Sequence, residues 1–251
     1  MKYLFLIVVL YFFSACNAQD STIKVLNEKD LELTNIYQEY YKDRLGFGHE
    51  KDSLLSQFTK KLETALSDKR FIGFSFDSLT KSKQVSVVSS KDAKLKLFSW
   101  DTFNMGTWHI YNSMYQFLNN DKIYTGLLTK NNKSGEIIDF TDSYHFKIYD
   151  FDTNTYLVKS YGTHGGGLDF YTFRLLSFRD NKLVDCKACF DGKNYLLFEK
   201  NRTEKASPTY DSKSKTIIYP EYTEDEETGV LKPTGNTITL EYKAGMFLKI
   251  K

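Results

Sequence analysis

The sequence predicts an α+β protein, predominantly antiparallel β, with two helices at its N-terminal end. Apolar residues recur with helical spacing over residues 27–69, then switch to period two from about residue 71. Polar turn clusters interrupt the second region at short intervals, and no helical stripe long enough to join parallel strands intervenes. Antiparallel hairpins follow. With roughly twelve strands expected, more than one open sheet usually carries, the sheet should curl, close or split, giving a meander, a sandwich or a barrel-like fold.

The chain divides by pattern into residues 1–15, a tether over 16–26, a helical segment over 27–70 and a β-rich domain over 71–251. In the opening MKYLFLIVVLYFFSAC, Lys2 precedes an apolar run from Tyr3 to Phe13, and small Ser14 and Ala15 stand before Cys16. This is the layout of an export signal. As a helix the run would cover about 16 Å, little more than half of a ~30 Å hydrocarbon core. The sequence Phe13-Ser14-Ala15-Cys16 resembles the lipobox of bacterial lipoprotein precursors, with Phe13 where Leu is usual. That resemblance implies cleavage before Cys16, lipidation of its thiol and a membrane partner reached through acyl chains, hence a bacterial envelope address. The alternative is cleavage after Ala18 and release as a secreted or periplasmic protein.

Two helices follow. Leu33, Ile36, Tyr37, Tyr40, Tyr41 and Leu45 form one apolar stripe ahead of Gly46 and Gly48. A second stripe, Leu54, Leu55, Phe58, Leu62, Ala65 and Leu66, begins behind Asp52 or Ser53 as N-cap. Beyond them, Val85 and Val87 alternate with Gln84 and Ser86; Tyr144, Phe146 and Ile148 with His145 and Lys147; Ile238, Leu240 and Tyr242 with Thr237, Thr239 and Glu241. Turns are expected at Asn119-Asn120-Asp121, Asp152-Thr153-Asn154, Arg179-Asp180-Asn181, Asp191-Gly192-Lys193, Asp211-Ser212-Lys213 and Lys243-Ala244-Gly245.

Composition narrows the function. The 34 basic and 32 acidic residues nearly cancel, which disfavours a nucleic-acid partner, and 41% hydrophobic residues exclude a disordered chain. Cys186 and Cys189 form a CxxC followed by a turn rather than a helix, so a disulfide or two half-buried thiols are expected over a redox dithiol or half a zinc site. No metal or cofactor is predicted. The segment 95–117 holds both Trp, and Asp101 can orient and raise the basicity of His109 if their strands pair. It is similar to a segment found in uncharacterised exported bacterial proteins, which implies no activity. Gly165-Gly166-Gly167, between His164 and Asp169, reads as a hairpin loop and lacks phosphate-loop spacing. Asp150-Phe151-Asp152-Thr153-Asn154 opens like a calcium loop but places Thr155 where that loop needs Gly. The acidic run 221–227 reads as a solvated loop.

The leading expectation is a tethered envelope protein whose β-rich domain binds a glycan or a protein, not an enzyme. Weak catalytic candidates are Asp101, His109, His164 and Asp169, with Asp139, Asp142 and Asp150 as further carboxylates. They sustain a second reading, a hydrolase acting on a polymer. A third is an inhibitor or immunity-type protein with a protruding loop.

Overall fold

A computed structural model describes residues 2–43, 49–103, 107–128 and 142–250, with side chains placed from residue 21 onward except at 49–51 and 164. Two compact units result, Met1–Lys83 and Gln84–Lys251.

The first unit contains α1 (Lys2–Lys42), α2 (His49–Leu66), a 3-10 turn (Lys69–Phe71) and α3 (Asp77–Lys81). α1 runs unbroken through 16–26, the segment expected to be a tether, which contains neither Gly nor Pro to stop a helix. The predicted break at Gly46 and Gly48 lies outside the described residues. Leu33, Ile36, Tyr37 and Tyr40 of α1 are buried with Phe58, Leu62 and Leu66 of α2, and the Tyr37 and Phe58 rings lie 5.0 Å apart. The unit also extends past the predicted boundary at residue 70, because Phe71, Phe76 and Leu79 belong to its core. Asp30, buried on α1, fixes α3 by accepting hydrogen bonds from the Ser78 and Leu79 N–H groups at 2.7 and 3.1 Å.

The second unit is a succession of three antiparallel meanders. Its first sheet is β1 (Val85–Ser89), β2 (Leu95–Asp101), β3 (Tyr111–Asn119) and β4 (Lys122–Leu127), in that order. The second holds β5 (Tyr144–Asp152), β6 (Thr155–His164), β7 (Leu168–Arg179), β8 (Lys182–Asp185) and β9 (Tyr195–Asn201). The third holds β10 (Thr209–Asp211), β11 (Thr216–Glu224), β12 (Leu231–Lys243) and β13 (Met246–Ile250). Turn chemistry sets the hairpins. The β3–β4, β7–β8 and β12–β13 links have two central residues, all at positive φ: Asn120 and Asp121, Asp180 and Asn181, Ala244 and Gly245. Those are the twisted two-residue turns that match the right-handed twist of paired strands.

Period two then sends neighbouring residues of the second sheet into two different cores. Ile148, Tyr156, Val158 and Leu176 pack with Leu95, Leu97, Tyr115 and Phe117 of the first sheet. Leu157, Phe173, Leu175 and Leu196 pack with Ile217, Leu240 and Phe247 of the third. Both faces of β7 are therefore buried over most of its length, which explains its nearly continuous apolar sequence.

Two details depart from simple alternation. In β5 the register slips between His145 and Lys147, so Phe146 is exposed while His145 and Ile148 are buried. The expected inward set Tyr144, Phe146, Ile148 is corrected by this bulge, since a single inserted residue exchanges the faces beyond it. β8 and β9 also lie along one edge of β7, at residues 176–179 and 168–174 respectively. They form one line interrupted by residues 186–194, a loop closed by the Cys186–Cys189 disulfide with Cα atoms 5.8 Å apart. This loop reaches the third sheet. Phe190 stacks on Phe247 with ring centres 5.1 Å apart, and the Phe247 N–H donates to the Cys189 carbonyl at 2.6 Å. The predicted acidic loop is shorter than expected: β11 continues to Glu224, and Asp225 pairs with Lys232 across the turn.

Candidate functional site

Register brings one aromatic residue from each of four strands into a row. Tyr144 on β5 faces Tyr161 on β6, Tyr161 faces Tyr171 on β7, and Tyr171 faces Phe198 on β9. The row lies on the face that, two residues further along β7 and β9, packs against the third sheet through Phe173 and Leu196. Ring centres are 5.3 Å apart between Tyr161 and Tyr171 and 6.3 Å between Tyr171 and Phe198. The three tyrosines are partly exposed, and Phe198 is buried. At one end Tyr111 packs edge-on to Tyr144 at 5.7 Å, with His109 and Phe103 beyond it. At the other, Phe198 meets Tyr222 of β11 at 5.6 Å.

A polar row borders it. Asp169 is paired in register with Thr163 and Lys200. Its buried carboxylate accepts from Arg202 Nε at 3.0 Å and lies 3.5 Å from Lys200 Nζ, and its charge helps to push the Tyr161 pKa up. Arg202 is placed by its own N–H, which donates to the Gly167 carbonyl at 2.8 Å, so the end of the triple-glycine turn positions a cation. Gly166 and Gly167 both have positive φ, which that turn requires.

The Asp101–His109 pairing that the sequence allows is present: Asp101 Oδ2 engages His109 Nδ1, and a second Asp101 oxygen accepts from the Phe103 N–H at 2.8 Å. The entry to β3 is held by His109 N–H to Thr163 O of β6 and by Tyr111 N–H to Asp142 O ahead of β5, both at 3.3 Å. The hydrogen bond to Asp101 raises the His109 pKa, against burial and the nearby Arg202, both of which lower it. Because the folded value lies above the unfolded one, this pair stabilises the fold below the ordinary histidine pKa and loses its effect as pH climbs through the raised value. Tyr111 feels the charges of both Asp101 and Asp169, which, after burial, push its pKa up. Asp101, His109 and Asp169 therefore share one neighbourhood. His164 ends β6, but its side chain lies outside the described residues, as does Asp139.

Asp142 is buried beside Tyr111, whose N–H its carbonyl accepts, whereas Asp150 is occupied elsewhere. Both Asp150 oxygens accept backbone protons, from Lys91 and Asp92 at 2.9 and 2.8 Å, beside a cleft of about 820 Å³ that has no comparable aromatic row. No group of three or more His, Cys, Asp or Glu among the described residues is arranged to hold a metal. No described helix is long and apolar enough to cross a membrane.

Directly behind the aromatic row, on the opposite face, lies a buried polar row of His145, Ser160 and Thr172. His145 Nδ1 and Ser160 Oγ are 2.6 Å apart, and the His145 N–H donates to Ser99 Oγ at 3.0 Å. Its Nε2 is buried without a hydrogen-bond partner among the described residues. Burial, reinforced by the Arg174 charge, lowers its pKa to about 3, so the imidazole is neutral in the fold. The unfolded chain binds this proton first as pH falls below 6.5, so stability drops from there down to about pH 3, by about 1.4 kcal/mol per pH unit. Urea unfolding of wild type and His145→Asn at several pH values checks this. The wild type should show the steeper acid loss, and parallel profiles would mean that His145 takes up its proton in the fold.

Sequence reading missed Tyr111, Tyr144, Tyr161, Tyr171, Phe198, Lys200 and Arg202 as a group. Alternation marks which residues of one strand share a face, but only the cross-strand register aligns them. Comparison with protein-family models, with curated proteins and with solved structures finds no match for the chain.

Proposed function

We propose that this chain is a lipid-tethered bacterial envelope protein whose second sheet binds a glycan along the aromatic row. The row Tyr144–Tyr161–Tyr171–Phe198 carries the reading. A sugar ring has an apolar face that stacks on a flat aromatic ring, and its hydroxyls need nearby hydrogen-bonding groups, which the partly exposed His109 and Arg202 at the border supply. The three partly exposed tyrosines span two gaps between strands, about 10 Å, so the row accommodates more than one sugar unit. The tether rests on the signal layout ending at Cys16.

Glycan arrays followed by calorimetry test the binding. Tyr144→Ala and Tyr161→Ala should each weaken an identified oligosaccharide by about 0.5–1.5 kcal/mol while leaving the fold intact. Unchanged affinity in both variants would remove the row from the site. Labelling with a radioactive fatty acid in wild type and Cys16→Ala tests the tether, and equal labelling would rule it out.

Hydrolysis is the second reading, favoured by the Asp101–His109 pair. It ranks lower because a glycosidase needs one protonated and one uncommitted carboxylate facing each other. Here Asp169 is engaged by two cations, and Asp101 by an imidazole and a backbone N–H. Release of reducing ends from a bound polymer, abolished by Asp101→Asn, would reverse this order.

A further inference from the structure

We infer that the glycan is acidic, and that a carboxylate or sulfate on one sugar is held between the His109 imidazole and the Arg202 guanidinium at the polar border of the aromatic row. This rests on the glycan reading and specifies its ligand class. The border sets three carboxylates, Asp101, Asp169 and Glu204, against Lys200, Arg202 and, when protonated, His109. The charges balance, so what a ligand meets is decided by which of them are exposed. Lys200 is buried and donates to the Glu204 carbonyl at 2.6 Å, and the exposed cations are the other two. The His109 side chain is 36% exposed and that of Arg202 46%, whereas Asp101 and Asp169 are almost covered.

The two cations are brought together through β6 and β7: the His109 N–H donates to the Thr163 carbonyl, Thr163 faces Asp169, and Asp169 holds Arg202 at 3.0 Å, which lets Arg202 oppose protonation of His109. An anion seated between them replaces that repulsion with two attractions. Asp101 engages Nδ1, so protonation equips Nε2 with the N–H that a ligand oxygen accepts. Among the described residues, Tyr111 and Tyr161 lie beside these charges, and both remain neutral because their pKa values are pushed up, chiefly by burial. Tyr161 also links the pair to the row, since the Asp169 charge acts on its hydroxyl and its ring is the second of the series.

Calorimetry with the purified full chain and three oligomers of matched length, a galacturonic acid oligomer, a sulfated galactan and a neutral galactan, tests the assignment. One acidic oligomer should bind at least about tenfold more tightly than the neutral one, and which of the two does so identifies the anionic group. The advantage should shrink in Arg202→Gln and in His109→Gln, persist in Arg202→Lys, and fade as pH rises through the His109 titration. Thermal melts of the variants separate lost binding from lost folding. Equal affinity for acidic and neutral oligomers would overturn the anion site and leave the row standing. Absence of binding to any oligomer, across a wider glycan panel as well, would overturn both.

Discussion

Replacing Asp185 with Ala is expected to destabilise the second unit by about 3–5 kcal/mol, the usual result of removing one partner of a buried ion pair. Arg174 is 2% exposed at its side chain and donates through Nε and a terminal nitrogen to the two Asp185 oxygens, each at 2.8 Å. Asp185 is the last residue of β8, just before the disulfide loop, and Arg174 stands on the neighbouring β7. Without the carboxylate, a guanidinium is left in a protein interior that cannot hydrate it. Urea unfolding monitored by near-ultraviolet circular dichroism measures the loss. An apolar pair, Arg174→Met with Asp185→Leu, should recover most of it, because the cost comes from the orphaned charge. A loss under about 1 kcal/mol in Asp185→Ala would show that water reaches Arg174.

Phe247→Ala is the second change with a large expected effect, about 3–5 kcal/mol from a fully buried ring. Phe247 packs against Phe151, Phe190 and Tyr242, and its backbone bonds to the disulfide loop on both sides, through Cys189 O and Asp191 N. It is thus the chief point where the third sheet meets the line formed by β8 and β9. Hydrogen exchange should show β11 to β13 losing protection before β5 to β7. Uniform loss across all three sheets would mean that they unfold as one cooperative unit.

Much of this architecture was legible in the residues. The two helical stripes, the antiparallel class and the hairpin turns at Asn120-Asp121, Asp180-Asn181 and Ala244-Gly245 all follow from local chemistry. The Asp101–His109 pair was readable too, because eight residues in a β region bring the two ends of a connection back together. What the residues did not disclose depends on register. The β5 bulge moves Ile148 from the face of Tyr144 and Phe146 to that of His145, and no composition marks it. Asp169 meets Arg202 only because the line of β8 resumes as β9 after a nine-residue excursion, residues 186–194, which returns the chain to the same edge of β7. The continuity of α1 through 16–26 was hidden for another reason: polar composition suggested a tether, although nothing there breaks a helix.

The aromatic row runs across the strands, so each ring belongs to a different one. Backbone hydrogen bonding therefore spaces the points from which the rings spring, about 4.8 Å from strand to strand, and side-chain packing widens the ring centres to 5.3 and 6.3 Å. The sheet acts as a ruler with fixed graduations. Exchanging a tyrosine for another ring alters how strongly one mark grips, but the repeat length of any polymer that fits is written into the main chain. A ligand with a different repeat demands a new register, and with it a different set of turns.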